Sequence, residues 1–164
     1  PKTLNAKDFE FLNSQCQLEN LEAKELLITQ YQSIKFPEEI HIMKDEFLKA
    51  SRAIFNTVNH VKDNWSGLSE KDVYNQTSHF YKEVGGHSQS FNTIAGFAGN
   101  GSIIHYNSPS EKVKLENGEI FLLDSGGYFQ SGFATDKTRT FLIGDKVNDQ
   151  LYKKIYTISL IFDS

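Results

Sequence analysis

The hydrophobic pattern of this chain changes at Gly85-Gly86, from helical spacing before it to strand-like runs after it. Upstream, apolar residues recur at Ile40, Met43, Phe47, Ala50, Ile54, Val58 and Val61. Alternating steps of three and four positions mark a helix with one buried face. Pro37 suits its first turn, and NWSG, ending at Gly67, stops it. Ser69, with Asp72 three residues on, reads as an N-cap that opens a second helix running to about Val84. Residues 3–34 also read as helical, with polar breaks and a looser period. Downstream, residues 88–143 are rich in Gly, Ser, Thr and Ile, with strand-like runs at 90–96, 102–106, 119–124, 128–134 and 136–143. The polar stretch 107–118 connects them, and Gly126-Gly127 and Gly132 make DSGGYFQSGFATD a hairpin. A further helix is expected from Asn148-Asp149, with Leu151, Ile155, Ile158 and Phe162 on one face. The expected class is α+β.

Composition narrows the function classes. A chain of 164 residues with 38% hydrophobic and 23% charged residues is long enough for one domain with a core. A formal net charge of −4 without a basic stripe argues against a nucleic-acid partner. The single cysteine, Cys16, excludes an internal disulfide and fits a reducing, cytoplasmic setting. No apolar run approaches the ~18 residues that would indicate a membrane span. PKTLNAKDFEF has no apolar core of a signal peptide, although the chain opens on Pro1 and not on Met. In a cytoplasmic protein the sequons at Asn64, Asn75 and Asn100 are chance matches.

Two acids stand where core strands end. The run Ile120-Phe121-Leu122-Leu123 closes on Asp124, and Asp136 opens the run from Lys137 to Ile143. Ionised carboxylates are expensive to bury alone, and two on adjacent strands repel unless a cation lies between them. Oxygen ligands suit Mn²⁺ or Mg²⁺, and mixed oxygen and imidazole sites also take Zn²⁺, Co²⁺ or Fe²⁺. A plainer account also fits the spacing. Asp124 before Ser-Gly-Gly can cap its own turn, and Asp136 can pair with Lys137 or Arg139. His105, beside Tyr106 in an apolar run, taken alone reads as a structural histidine. His41, His60 and His79 fall on expected helices and His87 in a loop, as surface or packing residues. The Gly-rich AGFAGNGS lacks the Lys-Ser/Thr ending and following helix of a phosphate loop.

The ordered set SFNTIAGFAGNGSIIHY, EIFLLDSGG and TDKTRTF resembles the pita-bread metallopeptidases, nearest to aminopeptidase P (Xaa-Pro aminopeptidase) with prolidase beside it. IKFPEEIHIMKDEFLKA is similar to the opening of that catalytic domain, so the resemblance covers about residues 34–145. It implies the first half of a pita-bread fold, an antiparallel sheet with helices packed on one face, over residues 34–164. Residues 1–33 would be the tail of a preceding N-terminal domain or a linker. Asp124 would be the first metal-ligating aspartate and Asp136 the second, bridging two divalent ions, Mn²⁺ foremost, with Zn²⁺ or Co²⁺ as alternatives. His105 would contact substrate and assist the reaction, in which a metal-bound hydroxide attacks the bond before proline in a peptide. A later histidine and two glutamates would lie beyond Ser164, so a truncated, inactive chain is expected. The intact enzyme would act on proline-containing peptides, away from nucleic acid and membranes, and could form a homodimer. Dipeptide-specific prolidase, creatine hydrolysis and a non-catalytic binding module are the alternatives on this fold. Methionine aminopeptidase fits less well, given the N-terminal segment and GSIIHY.

The chain departs from the resembled pattern twice. Asp124 and Asp136 are 12 positions apart, one more than in the family. The hairpin around Gln130-Ser131-Gly132 must take up the extra residue as a longer turn or bulge, or Asp136 will face the wrong way. Lys137 stands where the family has an apolar residue and should point away from Asp136 towards solvent.

Overall fold

The computed structural model describes residues 6–15 and 27–147. The chain divides into two compact units, Pro1–Ile40 and His41–Ser164. The first holds α1 (Ala6–Gln15), which buries no residue, and α2 (Leu27–Ser33). The helical reading of residues 3–34 holds over 6–15 and 27–33, and its remainder up to residue 26 lies outside the described residues. The amphipathic helix expected from Asn148 lies outside the described residues.

The long helix α3 spans Pro37–Asn64, opening on Pro37 with Glu38 and Glu39 in its first turn. Glu39 Oε2 accepts the Phe36 amide at 2.8 Å, satisfying one of the N–H groups that a helix start leaves open. The buried face of α3 is Ala50, Ala53, Ile54, Thr57 and Val61, with Glu46. It is turned slightly from the expected stripe, with Ala53 and Thr57 buried and Val58 only partly so. Thr57 stays satisfied in the core by donating to the Ala53 carbonyl at 2.9 Å.

The next helix, α4, spans Glu70–Glu83, and the expected cap at its start is a full capping box. Ser69 Oγ accepts the Asp72 amide at 3.2 Å, and Asp72 Oδ2 accepts the Ser69 amide at 2.8 Å.

Beyond Gly86 the chain forms two antiparallel ladders. A short one pairs β1 (Ser88–Gln89) with β4 (Gly127–Tyr128). The main sheet has the order β2-β3-β5, from β2 (Ile94–Phe97), β3 (Ile120–Ser125) and β5 (Lys137–Leu142). Along β3, Phe121, Leu123 and Ser125 are buried, while Ile120, Leu122 and Asp124 alternate onto the opposite, more open face. The buried face meets the helices in one core that includes Val61, Val73, Tyr81, Phe121, Leu123 and Ile143. Phe121 stacks obliquely between Phe97 and Phe141, with ring centroids 6.5 and 5.6 Å away.

Three strand expectations are corrected. The 90–96 run is paired as β2 only from Ile94. The 128–134 run is mostly a turn, with Tyr128 and Ala134 joined by an isolated bridge. The 102–106 run is no strand, because residues 98–102 coil into a short 3-10 turn that folds back on β2. That return demands glycine. A Cβ on Gly96 would stand 2.8 Å from Gly101 Cα, so apolar pattern alone could not reveal that the backbones touch.

Ser69→Ala should lower stability by about 1 kcal/mol at neutral pH, read as a shift in the urea midpoint. Hydrogen bonds from the Ser69 hydroxyl and then its amide hold the Asp72 carboxyl below its usual range. A depressed folded value means that this stabilisation is present above the unfolded value and fades as pH falls through the folded one. The difference between wild type and Ser69→Ala should therefore shrink below about pH 4; an undiminished difference at pH 2 would contradict the 2.6 Å bond from the Ser69 hydroxyl to the Asp72 carboxylate.

Candidate metal centre

The β3–β5 register brings the two acids together. Asp124 lies opposite Thr138, and Asp136 precedes Thr138 by two residues, so both carboxylates project from the open face. From that shared face the Asp124 charge acts on Asp136. The same register continues to the Tyr128–Ala134 bridge. The additional residue is therefore taken up in the 129–133 turn, where Gly132 adopts φ +81° and donates to the Phe129 carbonyl at 3.0 Å. The longer-turn alternative is the one realised.

A buried polar frame fixes the base of this hairpin. A Cβ on Gly126 would fall 1.8 Å from the Thr135 carbonyl oxygen, so only glycine fits there. Thr135 Oγ1 accepts the Gly127 amide at 3.0 Å and donates to the Gly127 carbonyl at 2.9 Å. Ser125 and Thr93 share a hydroxyl–hydroxyl hydrogen bond of 2.6 Å. Tyr81 donates to the Ser125 carbonyl at 3.1 Å. Burial pushes the Tyr81 phenol up to about 12, and the Asp136 and Asp124 charges push in the same direction. From α3, buried Glu46 reaches the turn, accepting the Ser131 amide at 3.1 Å and the Ser131 hydroxyl at 2.5 Å.

The acids themselves have little to offset their charges. Thr138 donates to Asp124 Oδ1 at 2.8 Å. Lys137 does point away from Asp136, but not into free solvent: it is half-buried, with Nζ 5.7 Å from the Phe47 ring centroid. Arg139 Nη1 donates to the Thr138 carbonyl at 2.6 Å. Neither basic residue forms an ion pair with the acids, so the surface pairing of Asp136 with Lys137 or Arg139 is absent among the described residues. Desolvation, then the Asp124 charge and a hydrogen bond with Asp124, push the Asp136 carboxyl up. Asp136 is solvent-exposed, so the neighbouring Asp124 charge matters more than burial. Such a pair has room for a proton or a cation. Hard oxygen donors on an open face fit a divalent ion, although no cluster of three or more His, Cys, Asp or Glu occurs among the described residues.

Comparison with known proteins gives this arrangement a context. Residues 44–161 match the model of metallopeptidase family M24. The chain belongs to that family. The Xaa-Pro aminopeptidase of Escherichia coli (strain K12) is 33% identical over 94 residues, which are 57% of this chain and 20% of that protein. An Xaa-Pro dipeptidase from Bacillus anthracis superposes with a TM-score of 0.80 at 28% identity, over 97% of this chain and 42% of that one. A prolidase from Pyrococcus horikoshii OT3 shares the fold, with a TM-score of 0.78 at 23% identity over 96% of this chain and 43% of that one. The α+β architecture is that of pita-bread M24 proteins, of which this chain spans less than half the length.

Within this M24 chain His105 lies outside the β3–β5 ladder. It occupies an exposed turn with φ +55°, and no hydrogen bond or ion pair ties it to Asp124 or Asp136. His60 packs edge-on to Phe80, and His79 Nε2 lies 3.2 Å from Glu83, as expected for packing and surface histidines. Glu46, Glu70, Tyr81, Thr93 and Thr135 were missed by sequence reasoning. Glutamates on amphipathic helices read as solvated, and nothing in spacing marks them as buried.

Asp124→Asn should move the Asp136 titration to lower pH, followed by its side-chain carboxyl carbon signal in NMR. An unmoved midpoint would mean that the two side chains do not interact in solution.

Proposed function

We propose that this chain carries the first part of a two-metal Xaa-Pro aminopeptidase site. The placement of Asp124 and Asp136 on one open face of the sheet, with no ion-pair partner among the described residues, is the observation that carries this reading. Asp124 would hold one divalent ion and Asp136 would bridge a pair, Mn²⁺ foremost, with Zn²⁺ or Co²⁺ as alternatives. The ions, when bound, would supply an activated water and neutralise charge developing on the scissile carbonyl. Thr138 keeps the Asp124 carboxylate oriented through its 2.8 Å hydrogen bond. Tyr81 stays protonated at neutral pH and anchors the strand behind the acids. His105, on its exposed turn, is free to meet a peptide at its carbonyl or at the proline-side nitrogen.

Proline-containing peptides are the proposed substrates, with residues 1–33 as the tail of a preceding domain or a linker, and the intact enzyme as a cytoplasmic homodimer. No helix among the described residues is long and apolar enough to cross a membrane. Prolidase activity on dipeptides is the second reading, favoured by the likeness to the Bacillus anthracis Xaa-Pro dipeptidase. Rates on Xaa-Pro against Xaa-Pro-Yaa substrates separate the two in an active form of the protein.

Metal binding tests the site directly. An aspartate whose folded value is raised binds more protons in the folded state, so stability falls as pH rises through that value. Millimolar Mn²⁺ should restore this loss and raise the thermal midpoint at pH 7, and Asp124→Asn and Asp136→Asn should each abolish the rise. A Mn²⁺ effect that survives both substitutions would sink the assignment.

With two carboxylates gathered among the described residues, the 164-residue chain alone should hydrolyse an Xaa-Pro-Yaa tripeptide at the background rate, even with Mn²⁺. A clear turnover that purifies with the chain would show this expectation to be wrong.

A further inference from the structure

Glu70 is the first residue of α4, directly after the Ser69 cap, where a glutamate ordinarily keeps its carboxylate in water. Here it is fully buried. A buried carboxylate is tolerated only when its oxygens are filled with donors. Oε1 accepts the Phe97 amide at 2.9 Å and Asn100 Nδ2 at 3.0 Å. Oε2 accepts the Ser110 amide at 3.0 Å and lies 2.8 Å from the Tyr106 hydroxyl. That hydroxyl is also 2.6 Å from the Ser108 carbonyl, and its one proton serves one acceptor at a time.

All these donors come from one stretch of chain, residues 97–110. It is gripped at both ends through backbone amides and twice in between through side chains. Between the inner anchors stand Ile103, Ile104 and His105, which packing does not hold: Ile104 is 87% exposed, and His105 has a left-handed backbone uncommon for a residue with a Cβ. The Tyr106 phenol is pushed up to about 12 by desolvation and by the hydrogen bond and charge of Glu70, as an inward-facing anchor next to His105 should be.

We propose that Glu70 is a positioning residue: its buried carboxylate ties residues 97–110 at both ends and so sets the turn that presents Ile104 and His105 together at the surface. Its functional meaning rests on the proposed substrate-contacting role of His105, whereas the clamp itself does not.

Two variants test it on the whole chain, Glu70→Gln and Tyr106→Phe. Amide exchange of Phe97 and Ser110, read against Leu123 in β3, reports the clamp. The imidazole C–H signal of His105, at fixed pH, reports the turn. Glu70→Gln should speed exchange at Phe97 and Ser110 by about ten-fold or more relative to Leu123, the scale of one lost charge-assisted hydrogen bond. It should also shift or broaden the His105 signal. Tyr106→Phe leaves three donors in place, so it should keep the fold and the Phe97 rate while still moving the His105 signal. Loss of thermal stability with an unchanged His105 signal in Tyr106→Phe would make Glu70 merely structural and overturn the proposal, as would wild-type exchange at both amides in a folded Glu70→Gln. If Glu70→Gln does not fold, Tyr106→Phe decides alone. Failure of the Mn²⁺ test would remove the peptidase reading without moving these signals, so the two fail separately.

Discussion

The register between β3 and β5 is the constraint on which the candidate site depends. Side chains alternate along a strand, so a shift of one residue would send Asp136 to the helix side while Asp124 stayed on the open face. Several independent contacts hold the pairing. Gly126 admits the Thr135 carbonyl where any Cβ would collide. Thr135 closes two hydrogen bonds on Gly127, and Glu46 fastens Ser131 at the turn to α3. The placement of two acids is thus maintained by groups that touch neither of them.

The molecule treats its carboxylates in two opposite ways. Glu46 and Glu70 are buried and fully supplied with donors, which is the condition for keeping a carboxylate out of water. Asp124 and Asp136 lie on the open face, where Asp124 accepts one threonine hydroxyl and neither acid has an ion-pair partner among the described residues. Structural acids are satisfied by the chain; this pair is left with capacity for a cation. That contrast argues against a plain turn aspartate better than spacing does, because a capping aspartate would have spent its oxygens on nearby amides.

Local signals were legible where a local interaction decides the outcome. The Ser69–Asp72 box, the helix begun by Pro37, β3 and β5 each depend on neighbouring residues or on a simple period. The 102–106 run misled because its apolar residues serve an exposed turn and not a sheet face. Its path is set by the Gly96–Gly101 approach and by Glu70, which is distant in sequence. Lys137 showed the same limit: its direction followed from strand alternation, but its position over Phe47 needed α3 to be in place.

The sequence by itself determined the long helix from Pro37, the capped start of α4, strands β3 and β5 and the family likeness, since each rests on residue type and short spacing. Only the tertiary structure decided that Asp124 and Asp136 share a face, that Glu70 is buried among donors from residues 97–110, and that His105 lies on an exposed turn. These depend on pairings between segments far apart in the chain, and a hydrogen bond between distant residues leaves no period for a sequence to display.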